Sequence, residues 1–198
     1  MRAERSVMAI SLQKGQRVSL SSDGGLRQIV MGLGWDMKKP SGLMGFFSAP
    51  KSIDLDASCV LFDDKKEALD AVWFRQLQSR DGSVRHTGDN RTGAGDGDDE
   101  QIIVNLAAVP ANIKCIVFVV NSFTGENFSQ IENAFCRIVD ASTNAELARY
   151  NLSCNGPHTA MVMGKVYRHE AGWKFHAVGE AAMGRTFVDL APAMIACL

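Results

Sequence analysis

Twelve consecutive residues, Asp89 to Glu100 (DNRTGAGDGDDE), hold five acids against one Arg. Their charge of −4 leaves +3 for the remainder of a chain whose net charge is −1. With Gly88, four glycines fall within ten residues of this stretch. Carboxylates at that density repel one another unless they are spread in water or neutralised by a bound cation. Hard oxygen donors, on a backbone that glycine lets turn its carbonyls inward, are what Ca2+ takes. The ordinary alternative is a solvated acidic turn. The spacing is not that of an EF-hand, because no DxDxDG run is followed by Glu in the last position and no helices flank it.

A second acidic feature lies upstream. In Asp54-Leu55-Asp56-Ala57-Ser58-Cys59, strand alternation puts Leu55, Ala57 and Cys59 on one face and Asp54, Asp56 and Ser58 on the other. The two carboxylates then project side by side with Cα atoms about 7 Å apart, close enough to share a cation. Paired like charges on a strand face are otherwise a liability. Asp36, closing the apolar run that ends GLGWD, is a third candidate from a neighbouring strand end.

Other constellations carry less chemistry. Gly93 to Gly97 lacks the spacing of a phosphate cradle, and the adjoining acids repel phosphate. His86, His158, His169 and His176 with Cys154 show neither CxxC nor HxxxH spacing, so a soft-metal site is not read from them. Ser83, His86 and Asp81 crowd one turn without the elbow that exposes a nucleophilic serine. Clustered acids can also hold two Mg2+ ions for phosphodiester hydrolysis, so a metal-dependent phosphoesterase is the enzymatic alternative. The loop Lys38 to Lys51 (KKPSGLMGFFSAPK) sets Leu43, Met44, Phe46 and Phe47 between lysines. It reads equally as a loop folded back on the sandwich or a patch for a partner protein, or as a calcium-dependent contact with anionic membrane.

The elements that must position these residues are short. Segments rich in Val, Ile, Phe and Thr recur between Gly, Asn, Asp and Pro, giving an all-β expectation. Strands are expected at 17–20, 28–33, 54–62, 71–75, 101–106, 113–121, 135–140, 146–152, 159–168 and 173–178. Short helices are allowed only at 127–134 and in the tail after Thr186. About ten short strands with tight connections favour a β-sandwich of one domain over residues 1–198. The chain is 198 residues long, 46% hydrophobic and 22% charged, as in soluble globular proteins. Its near-zero net charge removes the electrostatic case for nucleic-acid binding. Its longest apolar runs, Cys115 to Val120 and Ala193 to Leu198, are too short to span a bilayer as helices. Residues 1–10 lack the apolar core of a secretory signal. Five cysteines without a CxxC pair read as reduced packing residues of a cytoplasmic protein.

Several long motifs together carry a resemblance. GLGWD at 32–36, DLDAS at 54–58, DGSVRHTGDNRTGAGDGDDE at 81–100, VVNSFTGENFSQIENAFCRIVD at 119–140, ELARYNL at 146–152 and HTAMVMGKVYRHEAGWKFHAVGE at 158–180 follow one another in order. The chain thus resembles the TerD family of tellurium-resistance proteins over about residues 8–180, with the tail 181–198 unaligned. The resemblance implies a calcium-binding β-sandwich without catalysis, in a bacterial stress-response operon giving tellurite, phage and colicin resistance. Partners among that operon's other products, and a cytoplasmic site or one peripheral to the inner membrane, follow as expectations. It also implies calcium ligands in the first three motifs, here Asp36, Asp54, Asp56, Asp89, Asn90, Asp96, Asp98, Asp99 and Glu100. Eight of these are acids, too much charge for one divalent ion, so two neighbouring ions sharing carboxylates are expected.

Overall fold

The computed structural model describes residues 10–20, 26–37, 53–88, 97–152, 156–170 and 172–198. They form two six-stranded sheets. The strands are β1 (Ile10–Leu12), β2 (Arg17–Ser19), β3 (Gln28–Met37), β4 (Leu55–Phe62), β5 (Ala68–Val72), β6 (Val84–His86), β7 (Glu100–Asn105), β8 (Cys115–Ser122), β9 (Ile131–Asp140), β10 (Glu146–Asn151), β11 (Ala160–His169) and β12 (Gly172–Ala182), followed by helix α1 (Ala191–Ala196). The first sheet runs β1-β10-β9-β3-β7-β6 and the second β2-β12-β11-β8-β4-β5. Among the named pairs only β1 with β10 is parallel. The all-β expectation therefore holds.

Four elements differ from the sequence reading. The strand expected at 71–75 lies at Ala68–Val72, and Trp73 to Gln76 close a tight turn with reciprocal backbone bonds of 3.1 and 2.9 Å. Of the helix allowed at 127–134 only a 3-10 turn at Phe128–Gln130 forms, capped by the Asn127 side chain; β9 begins directly after it. The strands β1 and β6, three residues each, were not anticipated.

Alternation builds the core. Ile29, Met31, Leu33 and Trp35 of β3 meet Leu55, Ala57, Cys59 and Leu61 of β4 between the sheets. The outer face of the second sheet is apolar too: Val60, Phe62, Val117, Val119, Val162 and Val178 pack against Leu190 and Met194 of the tail. Hence β4 and β8 are buried at every position and read as near-continuous apolar runs. Helix α1 has six residues and no side-chain N-cap bond, too short to be stable alone. Burying Leu190 and Met194 stabilises its docking by about 1.5–3 kcal/mol each.

Candidate metal centre

The acidic stretch enters the described residues at Gly97, whose φ of 102° is a turn that side chains rarely adopt. From there the chain lies across the outer face of β3. A Cβ on Gly34 would come within 2.6 Å of the Gly97 carbonyl oxygen and 2.5 Å of the Phe135 ring. One on Gly32 would sit 2.3 Å from the Asp98 carboxylate. The two glycines of GLGWD are therefore the gaps into which the acidic segment fits, which links two motifs distant in sequence.

Asp98 is neutralised by protein. Arg137 stands opposite Gly32 in the β3/β9 register and donates to both carboxylate oxygens, Nε to Oδ1 at 2.7 Å and Nη2 to Oδ2 at 3.1 Å. Gln101 Nε2 adds a bond of 3.0 Å. Arg137 also donates to Glu146 at 3.1 Å.

Asp99 continues the ladder: its amide donates to the Leu33 carbonyl at 2.8 Å, and its Oδ2 accepts from the Trp35 amide at 2.9 Å. Burial raises its carboxyl above the ordinary aspartate value; the Trp35 bond opposes this, while the charges of Asp36, Glu100 and Asp98 add to it. Asp36, exposed beyond a register shift in β3, accepts from Asn133 Nδ2 at 2.9 Å. These four acids form one like-charge neighbourhood.

Glu100 points inward between the sheets and is 1% exposed. Its Oε2 accepts from the Ala57 amide at 2.6 Å, while His86 Nε2 lies 3.2 Å from the Ala57 carbonyl and 3.4 Å from Glu100. The Gly88 amide donates to His86 Nδ1 at 3.0 Å, so the ring proton sits on Nε2. Since β5 pairs with β4 only from Cys59 onward, Glu100 and His86 supply the partners that a strand would give Ala57. His86 thus faces β4 rather than Ser83, and no serine triad forms.

Asp54 and Asp56 lie on the other side. Asp56 is 4% exposed and faces the outer surface of the second sheet, beside its register partner Asn121 on β8. Asn121 Nδ2 lies 3.3 Å from Asp56 Oδ2 and donates to the Arg185 carbonyl of the tail at 2.7 Å. Asp54 is half-buried, and its carbonyl accepts from the Phe123 amide at 3.2 Å.

The six described candidates thus divide by face, and among the described residues no three His, Cys, Asp or Glu side chains converge as a metal site. Asp89, Asn90, Asp96 and the Lys38 to Lys51 loop lie outside the described residues. The donor chemistry fits a hard cation. All nine candidates offer oxygen, whereas the thiols of Cys115 and Cys136 are pushed by burial up to about 12 and that of Cys59 higher still, so they stay protonated. Sequence reasoning missed Asn121, Asn133 and Arg137, which only strand register brings to these carboxylates.

Known proteins bear on this arrangement. The TerD domain model matches residues 8–192. The chain is 51% identical to tellurium resistance protein TerZ of Serratia marcescens over 183 residues, covering 91% of this chain and 94% of that protein. It is 46% identical to general stress protein 16U of Bacillus subtilis (strain 168), covering 89% and 93%. Tellurium resistance protein TerD of Serratia marcescens is 40% identical, with coverage of 89% and 93%. Among solved structures, a homologue of telluride resistance protein from Streptomyces coelicolor A3(2) superposes with a TM-score of 0.69 at 20% identity, covering 86% of this chain and 98% of that one.

Proposed function

The chain belongs to the TerD family, and from that premise we propose that it is a calcium-binding, non-catalytic stress-response module of the cytoplasm. The observation that carries the reading is Asp99, partly buried among Asp36, Asp98 and Glu100 with its carboxyl raised. A carboxylate kept in that company is held at a cost that a hard cation relieves. Bound Ca2+ would supply charge neutralisation and tie together segments that otherwise repel.

The protein's own residues perform the rest. The Trp35 amide orients Asp99, Asn133 orients Asp36, and Arg137 withdraws Asp98 into an ion pair, so Asp36 and Asp99 are the described donors for one ion. Asp54 and Asp56 are those for a second. The division by face supports two ions on separate groups rather than one shared set. Asp89, Asn90 and Asp96 enter the proposal through the family's ligand motif. Four free cysteines among the described residues accord with a reducing compartment.

Thermal unfolding tests the reading. A ligand bound by the native state alone stabilises by about 2.7 kcal/mol at a hundredfold excess over its dissociation constant. For a chain of 198 residues that raises Tm by roughly 5–10 °C. The same Tm in EDTA and in millimolar Ca2+ would defeat the proposal.

A further inference from the structure

The outer face of the second sheet carries, toward its β2 edge, a group of cations to which the fold gives no counterion. Val18, Phe175 and Val166 are register partners across β2, β12 and β11, and all three pack on the core between the sheets. Alternation sends their neighbours outward: Arg17 and Ser19 from β2, Lys174 and His176 from β12, Lys165 and Tyr167 from β11. Arg17, His176 and Lys165 stand in one row, each directly opposite the next, and Ser19, Lys174 and Tyr167 form the row beside it. Like charges opposite one another across strands are destabilising, so such a row calls for an explanation. Among the described residues Arg17, Lys165 and Lys174 enter no ion pair. Glu180, farther along β12, is held by Lys14 at 2.8 Å, and Lys165 Nζ donates only to the neutral Cys197 carbonyl. The half-buried His176 ring between the flanking cations has a buried Nδ1 without a hydrogen-bond partner. After burial, the charges of Arg17 and Lys165 are what depress its pKa, so the field of the row reaches the imidazole uncompensated.

We infer that Arg17, Lys165, Lys174 and His176 form a binding site for a phosphate group, seated over His176 between the two flanking cations. Neighbouring strands lie about 4.8 Å apart, a span that the long Arg17 and Lys165 side chains close from either side. The guanidinium fork takes two phosphoryl oxygens, the lysines add point charges, and the Ser19 hydroxyl is a neutral donor beside them. Lys165, Lys174 and His176 are half-buried, which strengthens their attraction for an anion relative to freely solvated charges. The acidic segment does not oppose it, because Gly97 to Asp99 lie over β3 on the other sheet of the sandwich. No motif in the sequence marks these residues, which are gathered from three strands by register alone.

The inference does not rest on the calcium reading, and its test is run without calcium. Inorganic phosphate is titrated by calorimetry into the metal-stripped full chain in a chloride buffer. Wild type should bind phosphate saturably, and Arg17→Gln and Lys165→Gln should each lose about tenfold or more in affinity, as the loss of a charge-assisted bond requires. Lys65→Gln removes the same charge from the turn between β4 and β5 and should bind as wild type does. No saturable binding by wild type, unchanged affinity in Arg17→Gln and Lys165→Gln, or an equal loss in Lys65→Gln would overturn the inference. Lys165 also ties down Cys197, so if Lys165→Gln fails to fold, the exposed Arg17 decides alone. Cosedimentation with phosphatidylcholine vesicles, with and without phosphatidic acid, then identifies the source of the phosphate. Pelleting that needs both phosphatidic acid and Arg17 assigns the site to a lipid headgroup, and its absence beside saturable phosphate binding assigns it to a soluble phosphate.

Discussion

Replacing Gly32 by Ala places a methyl group where the Asp98 carboxylate lies, 2.3 Å from its Cγ and Oδ2 and 2.4 Å from Oδ1. Carbon and oxygen need more than 3 Å, so the carboxylate must rise by roughly 1 Å or more. That lengthens two bonds from Arg137 that now measure 2.7 and 3.1 Å. The Asp98 side chain is only 2% exposed, so water does not readily replace the lost partner. Breaking a fully buried pair costs about 3–5 kcal/mol. Arg137 is 28% exposed and keeps its bond to Glu146, which lowers the expectation to about 2–3 kcal/mol. Urea unfolding in EDTA, followed by far-UV circular dichroism, measures the loss without any contribution from metal. A double-mutant cycle identifies its cause. In an Asp98→Ala background the space is vacant, so Gly32→Ala should cost under about 0.5 kcal/mol there. The same cost in both backgrounds would show that the clash lies elsewhere, and a wild-type midpoint for Gly32→Ala would refute the packing account of GLGWD.

Two further outcomes are expected of the framework. Burial, then the charges of Arg17 and Lys165, lower the His176 pKa below its ordinary value despite an opposing hydrogen bond to the Gly15 backbone. The unfolded chain therefore takes up that proton first, so stability is unaffected above about pH 6.5 and falls as pH drops through and below it. His176→Gln should shrink the fall in urea midpoint between pH 7.5 and 5.5; an undiminished fall would assign it to other groups. Arg168 donates to the carbonyls of Ile113 at 3.0 Å and Val109 at 2.8 Å while lying 4.4 Å over the Trp173 ring. A lysine cannot make that fork, so Arg168→Lys should cost about 1.5–3 kcal/mol in urea unfolding, and a neutral result would show the fork to be dispensable.

Period-two patterning made the β4 sidedness readable, since Leu55, Ala57 and Cys59 do face the core and Asp56 the other side. The same rule misplaced β5, because Trp73 and Phe74 carry strand-like side chains within a turn, where their rings pack on each other and on Phe187 and Phe123. Three-residue strands such as Val84–His86 offer too few positions for alternation to register. The acids themselves were legible from composition. Their partners were not: Arg137 reaches Asp98 across 39 residues and Asn121 reaches Asp56 across 65, distances that only sheet register closes. Glu100 shows the same limit, since its bond to the Ala57 amide depends on where β5 stops.

Isothermal titration of the chelator-stripped protein with Ca2+, Mg2+ and Zn2+ in parallel tests the calcium account most directly. The account predicts saturable Ca2+ binding at two ions per chain, weaker Mg2+ binding, and no Zn2+ binding of comparable affinity, as an oxygen-only donor set demands. Absence of saturable Ca2+ binding, or tighter binding of Zn2+ than of Ca2+, would contradict it.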